Sequence, residues 1–477
     1  MEMRQEVIIP NIVLPNSNTN TLLEFKIPAS ADCYTDLSCG IFEDEYTINF
    51  NANLEDERKI QEDLEVAFVN NFLMSASVGL KLHLNETPVV MNNGALPWSA
   101  YTQVLTSFSS EARSSWLSAS GYCNDDWSSD AISPGGKQRF KPFLLNGRGR
   151  FCGPILSPMF QLRKWIVQRV GCRLALFRSN ADFLLLYKQT DHTKPKSFVV
   201  TLKKANLHVT RKKLHPYADH AIETFLYRTP ARYHYQEVIT KPLIIFKETF
   251  GVDVSLIDGG VLPKSIDILQ LTQQAATGSL SYNPLFFHHF YVRKLSLERN
   301  GQIVASFNEM DHGKDKWIEP YIQFFSRNGC IADEPWNSTI SYKRFRAGYT
   351  VFRFNLSNFA CESSMRAQQD FGHLRLKMIY DQTGPRSDSI VIMCFMHYDK
   401  ELTLYYNRKL IVQQDDLYGK PFTEVVYFYG AYQNIFEELE RDYGVRFVEG
   451  PPTGNDSNQL KQGSLCIFDD MLNKCAI

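Results

Sequence analysis

The segment Val66–Trp116 constrains the fold more than any other part of the chain. Within it Val78, Leu80, Leu82 and Leu84 alternate with Gly79, Lys81 and His83, the period of two that marks a strand with one buried face. Asn85-Glu86-Thr87-Pro88 ends that strand. Pro97 then sits where a helix can begin without losing an amide bond. Trp98, Tyr101, Leu105 and Phe108 follow at spacings of three and four, an apolar stripe that must pack on something. A strand feeding a helix that folds back over a sheet is scaffold, and the segment carries no catalytic constellation.

Strand patterns continue along the chain. Leu174 and Leu176 share one face, Leu184–Leu186 is a buried run, and Val238–Phe246 ends the first half. Strand text resumes at Phe286, where Leu295 and Leu297 alternate with Ser296 and Glu298. Asn300-Gly301 is the strongest hairpin signal, because a type I′ turn needs positive φ at both central residues. Leu374, Leu376, Met378 and Tyr380 alternate again, and Ile390–Met396 is continuously apolar. The 33 Phe and 23 Tyr suit strands and sheet-on-sheet packing. The 477 residues accommodate two sandwiches of roughly 200–250 residues each.

The pattern therefore predicts an all-β chain: two tandem antiparallel sandwiches of about eight strands each, with short helices in the connecting loops. The expected divisions are an N-terminal arm over 1–20, a first sandwich over 21–250, a second over 251–433 and a C-terminal tail over 434–477. Val252–Ile268 reads as the link between the halves. Ser107–Gly149 and Asn308–Ser341 read as long polar excursions, Phe436–Arg441 as a short helix and Gly450–Gly463 as a spacer. No residue-level repeat relates the two halves.

Composition narrows the function. A net charge of −1 argues against a protein that coats DNA or membranes nonspecifically. No apolar run reaches about 18 residues, so no spanning helix is expected, and the start MEMRQEVIIPN lacks the features of a secretory signal. The 10 Cys are scattered without a C-x-x-C pair, which fits a reducing compartment and argues against a zinc site.

The candidate chemistry is thin. His288-His289 with His312 suggests a metal cluster, but neighbours on a strand point to opposite faces and cannot chelate one ion. His208, His215, His220 and His234 lie in charged text without ligand spacing. Gly147-Arg148-Gly149-Arg150 offers amides and cations to a phosphate but lacks a strand–loop–helix context, and reads as a loop. The paired carboxylates Asp125/Asp126 and Asp469/Asp470 have no catalytic surroundings, and Ser110-Glu111 and Ser357 have no partner base. Lys203 and Lys204 with Arg211, Lys212 and Lys213 form the densest basic cluster, either a patch facing nucleic acid or an acidic neighbour, or a lysine-protected strand edge. The reading is a non-catalytic protein with no cofactor and no metal.

The order V-x-x-V-N-N-F-L (Val66–Leu73), L-x-L-N (Leu82–Asn85), P-W-x-A-Y (Pro97–Tyr101) and S-x-E-A-R-x-S-W (Ser109–Trp116) resembles the first jelly roll of the major capsid proteins of Polinton/Maverick elements and adintoviruses. Val200–Lys213, Ser281–Val304 and Arg346–Leu356 resemble later segments of that family. The resemblance implies a double jelly roll whose homotrimers, pseudo-hexagonal in outline, tile an icosahedral shell. It also implies contacts with other trimers, with penton or minor capsid proteins and nonspecifically with packaged DNA. The protein would reside in the virion capsid after synthesis in the host cytoplasm and assembly in the nucleus. Two alternatives remain at this point, a single jelly-roll minor (penton) capsid protein and a carbohydrate-binding β-sandwich protein.

Overall fold

A computed structural model describes residues 2–10, 22–50, 66–92, 94–125, 132–187, 198–311, 314, 316–325, 340–356, 370–381, 388–414, 425–429, 446–449 and 465–469. The first half contributes ten strands: β1 (Glu2–Ile8), β2 (Leu22–Ile27), β3 (Tyr34–Phe50), β4 (Val66–Phe68), β5 (Ser77–Leu84), β6 (Thr87–Asn92), β7 (Arg148–Pro154), β8 (Cys172–Arg178), β9 (Leu185–Tyr187) and β10 (Phe198–Lys213). The second contributes β11 (Ala231–Ile245), β12 (Gly251–Val261), β13 (Ser265–Thr272), β14 (Val292–Arg299), β15 (Gln302–Phe307), β16 (Val351–Asn355), β17 (Phe371–Tyr380), β18 (Ile390–Leu404) and β19 (Leu410–Gln414).

Their pairing gives four antiparallel sheets, β1-β10-β3-β7 and β2-β8-β5-β6, then β11-β18-β13-β16 and β12-β17-β14-β15. Setting aside the short β4–β9 ladder and β19, which extends from β18, eight strands remain in each half. Numbered one to eight in chain order, they form sheets 1-8-3-6 and 2-7-4-5 in both halves. This is jelly-roll topology, executed twice. Sheets face each other across apolar cores: Phe25 of β2 meets Phe42 of β3 edge-on at 5.8 Å, and Phe307 of β15 meets Phe354 of β16 at 4.7 Å.

Local rules explain most elements. In β5, Leu80, Leu82 and Leu84 are buried as the alternation predicts, but Val78 is only half-buried. A register shift between Ser77 and Gly79 turns the phase there, at a glycine whose Cβ would stand 2.7 Å from the Asn92 carbonyl oxygen. Asn300 and Gly301 have φ of 49° and 82° and join β14 to β15, the turn their sequence predicts. Helix Leu96–Ser107 carries Pro97 in its first turn and buries Trp98, Tyr101 and Leu105, with Phe108 at its C-cap. Leu374, Leu376, Met378 and Tyr380 face the core, and Ile390–Tyr398 is buried throughout.

Several expected boundaries differ. The N-terminal arm contains β1, paired with β10 from Glu2↔Lys213 to Ile8↔Leu207. Residues 231–245, assigned by sequence to the first sandwich, pair along their whole length with β18. The first barrel therefore ends at Lys213 and the second begins at Ala231. Between them lies helix Pro216–Arg228, with proline in its first turn. Val252–Ile268 is not a linker but β12 and the start of β13. The reason is common to all three: jelly-roll strands pair with partners far along the chain, β1 with β10, β11 with β18 and β12 with β17, and strand periodicity says nothing about which distant strand a segment will meet.

Ser107–Gly149 is not an exposed excursion where it is described. It holds helix Pro134–Asn146 and buries Leu117, Tyr122, Phe140 and Phe143. In Asn308–Ser341 the helix Ile318–Phe324 follows a fully buried Trp317, and much of the remainder lies outside the described residues. Both barrels belong to one compact unit, Met1–Asp415. A second unit, Asp416–Ile477, holds β20 (Val425–Tyr429), β21 (Arg446–Glu449) and β22 (Leu465–Asp469), a parallel sheet in the order β21-β20-β22 where a tail was expected. Phe436–Arg441 and Gly450–Gly463 lie outside the described residues.

Candidate functional site

The feature that sets this chain apart from a string of two sandwiches is the junction that fuses them. Helix Leu96–Ser107 of the first barrel presents Trp98, whose Nε1–H donates to the Pro284 carbonyl at 2.8 Å, and Tyr101, which meets Phe287 edge-on at 5.8 Å. From the second barrel, the Tyr235 hydroxyl donates to the Val89 carbonyl at 2.8 Å and the Tyr349 hydroxyl to the Asp125 carbonyl at 3.0 Å. The Tyr233 hydroxyl reaches the Trp165 carbonyl at 3.0 Å, and the Tyr187 amide reaches the Leu280 carbonyl at 2.7 Å. Arg408, in the turn after β18, donates to the Gln168 carbonyl at 2.9 Å and pairs with Glu223 of the connecting helix. Each bond contributes about 1 kcal/mol net, and each also fixes direction, so the barrels cannot rotate against one another without stranding buried polar groups.

Two buried ion pairs brace the junction. Arg139 spans Asp125 (2.9 and 3.3 Å) and the Phe68 carbonyl (3.1 and 2.8 Å), and the Asn70 amide donates to Asp125 at 2.8 Å. In the second barrel Asp267 of β13 takes two hydrogen bonds from Arg353 of β16, at 2.5 and 2.6 Å, and faces His397 Nε2 of β18 at 3.1 Å. Burial alone would raise the Asp267 pKa; the positive charges of Arg353 and His397 outweigh it and hold the carboxyl well below the ordinary carboxylate range. The sequence reading missed both pairs. Their signal was present: Asp267 stands in S-I-D-I-L and Arg353 in V-F-R-F-N, single charges inside apolar strands that are tolerated only when paired.

The five residues of the predicted basic patch do not form one surface. Lys203 and Lys204 are both exposed because the β10–β3 register shifts between Leu202 and Lys204. They stand roughly 25 Å along the strand from the other three. Arg211 is buried and bonds to Glu6 at 3.2 Å, to Thr35 and to the Pro28 carbonyl. Lys212 pairs with Asp36 and lies 4.4 Å from the Trp165 ring centre, and Lys213 pairs with Asp32 at 2.9 Å.

The other candidates resolve into packing. His288 and His289 lie in a loop rather than on a strand, with rings 4.7 Å apart, so the argument from opposite strand faces does not apply to them. Each accepts from a backbone amide two residues on, Phe290 and Tyr291, both at positive φ. Arg148 and Arg150 lie on β7, not in a loop, and pair with Glu45 and Glu43 across the ladder to β3. Among the described residues no group of three or more His, Cys, Asp or Glu is placed to hold a metal, and no helix is long and apolar enough to cross a membrane. His312, Asp126, Ser357 and Asp470 lie outside the described residues.

Two eight-stranded sandwiches of one topology in one chain define a double jelly-roll protein. The solved structures it resembles carry the same fold. One is the Sputnik virophage structure (TM-score 0.55, 12 % identity, 93 % of this chain and 94 % of that one). Others are the mavirus major capsid protein (TM-score 0.53, 9 % identity, 86 % and 90 %) and the Faustovirus major capsid protein (TM-score 0.53, 9 % identity, 84 % and 90 %). By sequence the chain is 20 % identical over 362 residues to the uncharacterized protein F54H12.2 of Caenorhabditis elegans, covering 74 % of this chain and 83 % of that protein. No family model matches.

Proposed function

We propose that this chain is a viral major capsid protein, structural rather than enzymatic, that works as a homotrimer. The observation that carries the reading is the pair of jelly rolls of identical topology locked by buried bonds into one compact unit, together with the likeness, over most of the chain, to capsid proteins of that fold. A rigid pair of similar barrels makes geometric sense as a tile. Three copies around an axis place six barrels in a ring, so a threefold object offers six similar sides and packs on a hexagonal net. A hinge between the barrels would blur that outline, and the junction bonds oppose one.

The single jelly-roll penton alternative does not suit a chain with two barrels. A carbohydrate-binding protein would set sugar-stacking aromatics beside paired acids, whereas Asp125 is buried under Arg139. The finer assignments belong to the same proposal. The lineage is that of Polinton/Maverick elements and adintoviruses; a relative encoded by a nematode is what an integrated form would leave. The chain is made in the cytoplasm, assembles in the nucleus and resides in the virion shell, meeting penton or minor capsid proteins. Of the basic residues, Lys203 and Lys204 are the pair that can face packaged DNA, since they have no ion-pair partner among the described residues. Size-exclusion chromatography with light scattering, followed by negative-stain microscopy, tests the core claim. Trimers with a hexagonal outline are expected, and a chain that stays monomeric under all assembly conditions refutes it.

A further inference from the structure

Beside the junction bonds lies a cleft of about 300 Å³ walled by both barrels. Its apolar wall includes Val90, Leu96 and Leu156 from the first barrel and Val238 and Phe395 from the second. Its volume stands at the lower end for small-molecule sites, roughly 300–1,000 Å³, which are apolar clefts with a few convergent polar groups. Two such groups stand at this one. The side-chain amides of Gln103, on helix Leu96–Ser107, and of Gln161, at the rim, have no hydrogen-bond partner among the described residues.

The charged groups of the lining decide what fits. Glu237 pairs with Lys400 at 3.4 Å and Asp267 with Arg353. His397 lies on Asp267 at 3.1 Å and His234 on Glu401 at 3.5 Å. Among the described residues no lysine or arginine lines the cleft. An anion would find no cation that a carboxylate does not already hold, since His397 lies on Asp267 and His234 on Glu401, and a cation would find carboxylates already paired, so either would lose its water without compensation. An uncharged amphiphile gains on both counts: an alkyl body covers the apolar wall, and a hydroxyl or amide head satisfies Gln103 and Gln161. We propose that this inter-barrel cleft is a binding site for an uncharged amphipathic molecule with a short alkyl chain. A ligand in contact with both barrels stabilises the closed pair by mass action.

The probe is 1-O-octylglycerol, titrated into the full chain by calorimetry, with octanoate and octylamine as charged controls. Saturable binding is expected with a dissociation constant of about 1 mM or tighter, the strength that ordinary ligand efficiencies allow a molecule of this size. Both controls should bind at least about tenfold more weakly, the cost of an uncompensated charge. Val238→Trp, which fills the cleft, should abolish binding while leaving the thermal midpoint unchanged or raised. Should that variant fail to fold, Gln161→Trp at the exposed rim blocks the mouth without touching the core and should have the same effect on binding. Absence of saturable binding, equal binding of octanoate or octylamine, or retention of binding in the rim variant would overturn the proposal. None of these outcomes bears on whether the chain trimerises.

Discussion

Replacing Arg353 by methionine keeps the length of the side chain and removes its charge from a site where both partners are 1 % exposed. Asp267 loses two hydrogen bonds of 2.5 and 2.6 Å, and the Phe324 carbonyl loses one of 3.1 Å. His397 still faces the carboxylate at 3.1 Å. Stranding a buried charge costs about 3–5 kcal/mol, a large part of the stability of an ordinary domain. Adding Asp267→Leu removes the stranded charge and fills the space with hydrocarbon, so the double variant should recover most of that loss despite carrying two changes. The pH dependence follows from the lowered pKa of Asp267. In the wild type the pair's contribution is present above the unfolded carboxyl value near 3.8 and is lost only as pH falls through the lower folded value. In Arg353→Met burial, the largest influence on this carboxyl, loses the Arg353 charge that opposes it, so the carboxyl should take up a proton more readily in the fold than it does in the wild type. The deficit relative to wild type should then shrink as pH drops from 7 toward 4. Urea unfolding followed by tryptophan fluorescence at several pH values measures all of this. A single-variant loss below about 1 kcal/mol, or a double variant no more stable than the single, would refute the claim that this pair is held together by mutual need.

Three further outcomes are open to measurement. Asp44 of β3 is fully buried, and burial raises its pKa well above the ordinary value against the opposing effects of Tyr46 and Arg178. A raised folded pKa means that stability is complete below about pH 4 and is lost as pH rises through the folded value. Asp44→Asn should therefore gain on the wild type in thermal midpoint as pH goes from 5 to 8, and a pH-independent difference would contradict the assignment. Lys203→Ala with Lys204→Ala should weaken retention of DNA by assembled particles and lower the salt slope by about two. Arg211→Ala should instead destabilise the fold, since Arg211 is buried and bonded to Glu6 and Thr35. Unchanged retention in the lysine variant would remove these residues from any genome contact.

What could be read along the chain was everything set by neighbours in sequence. The alternation in Leu80–Leu84 and Leu374–Tyr380, the positive-φ pair Asn300-Gly301 and the proline-started helix Leu96–Ser107 depend on backbone geometry over a few residues, and they appear where the pattern placed them. The two blocks of strands followed from the same rhythm. Pairing was decided elsewhere: β1 could find β10, and β11 could find β18, only once the barrels closed, which moved the boundary between halves from 250 to the helix at Pro216–Arg228. The fate of charges was decided there too. Lys203 and Arg211 look alike in a basic run, yet a register shift leaves one in solvent while β1 and β3 cover the other. Periodicity fixes which face of a strand is apolar, and only the assembled sheets determine what that face, and any charge on it, will meet.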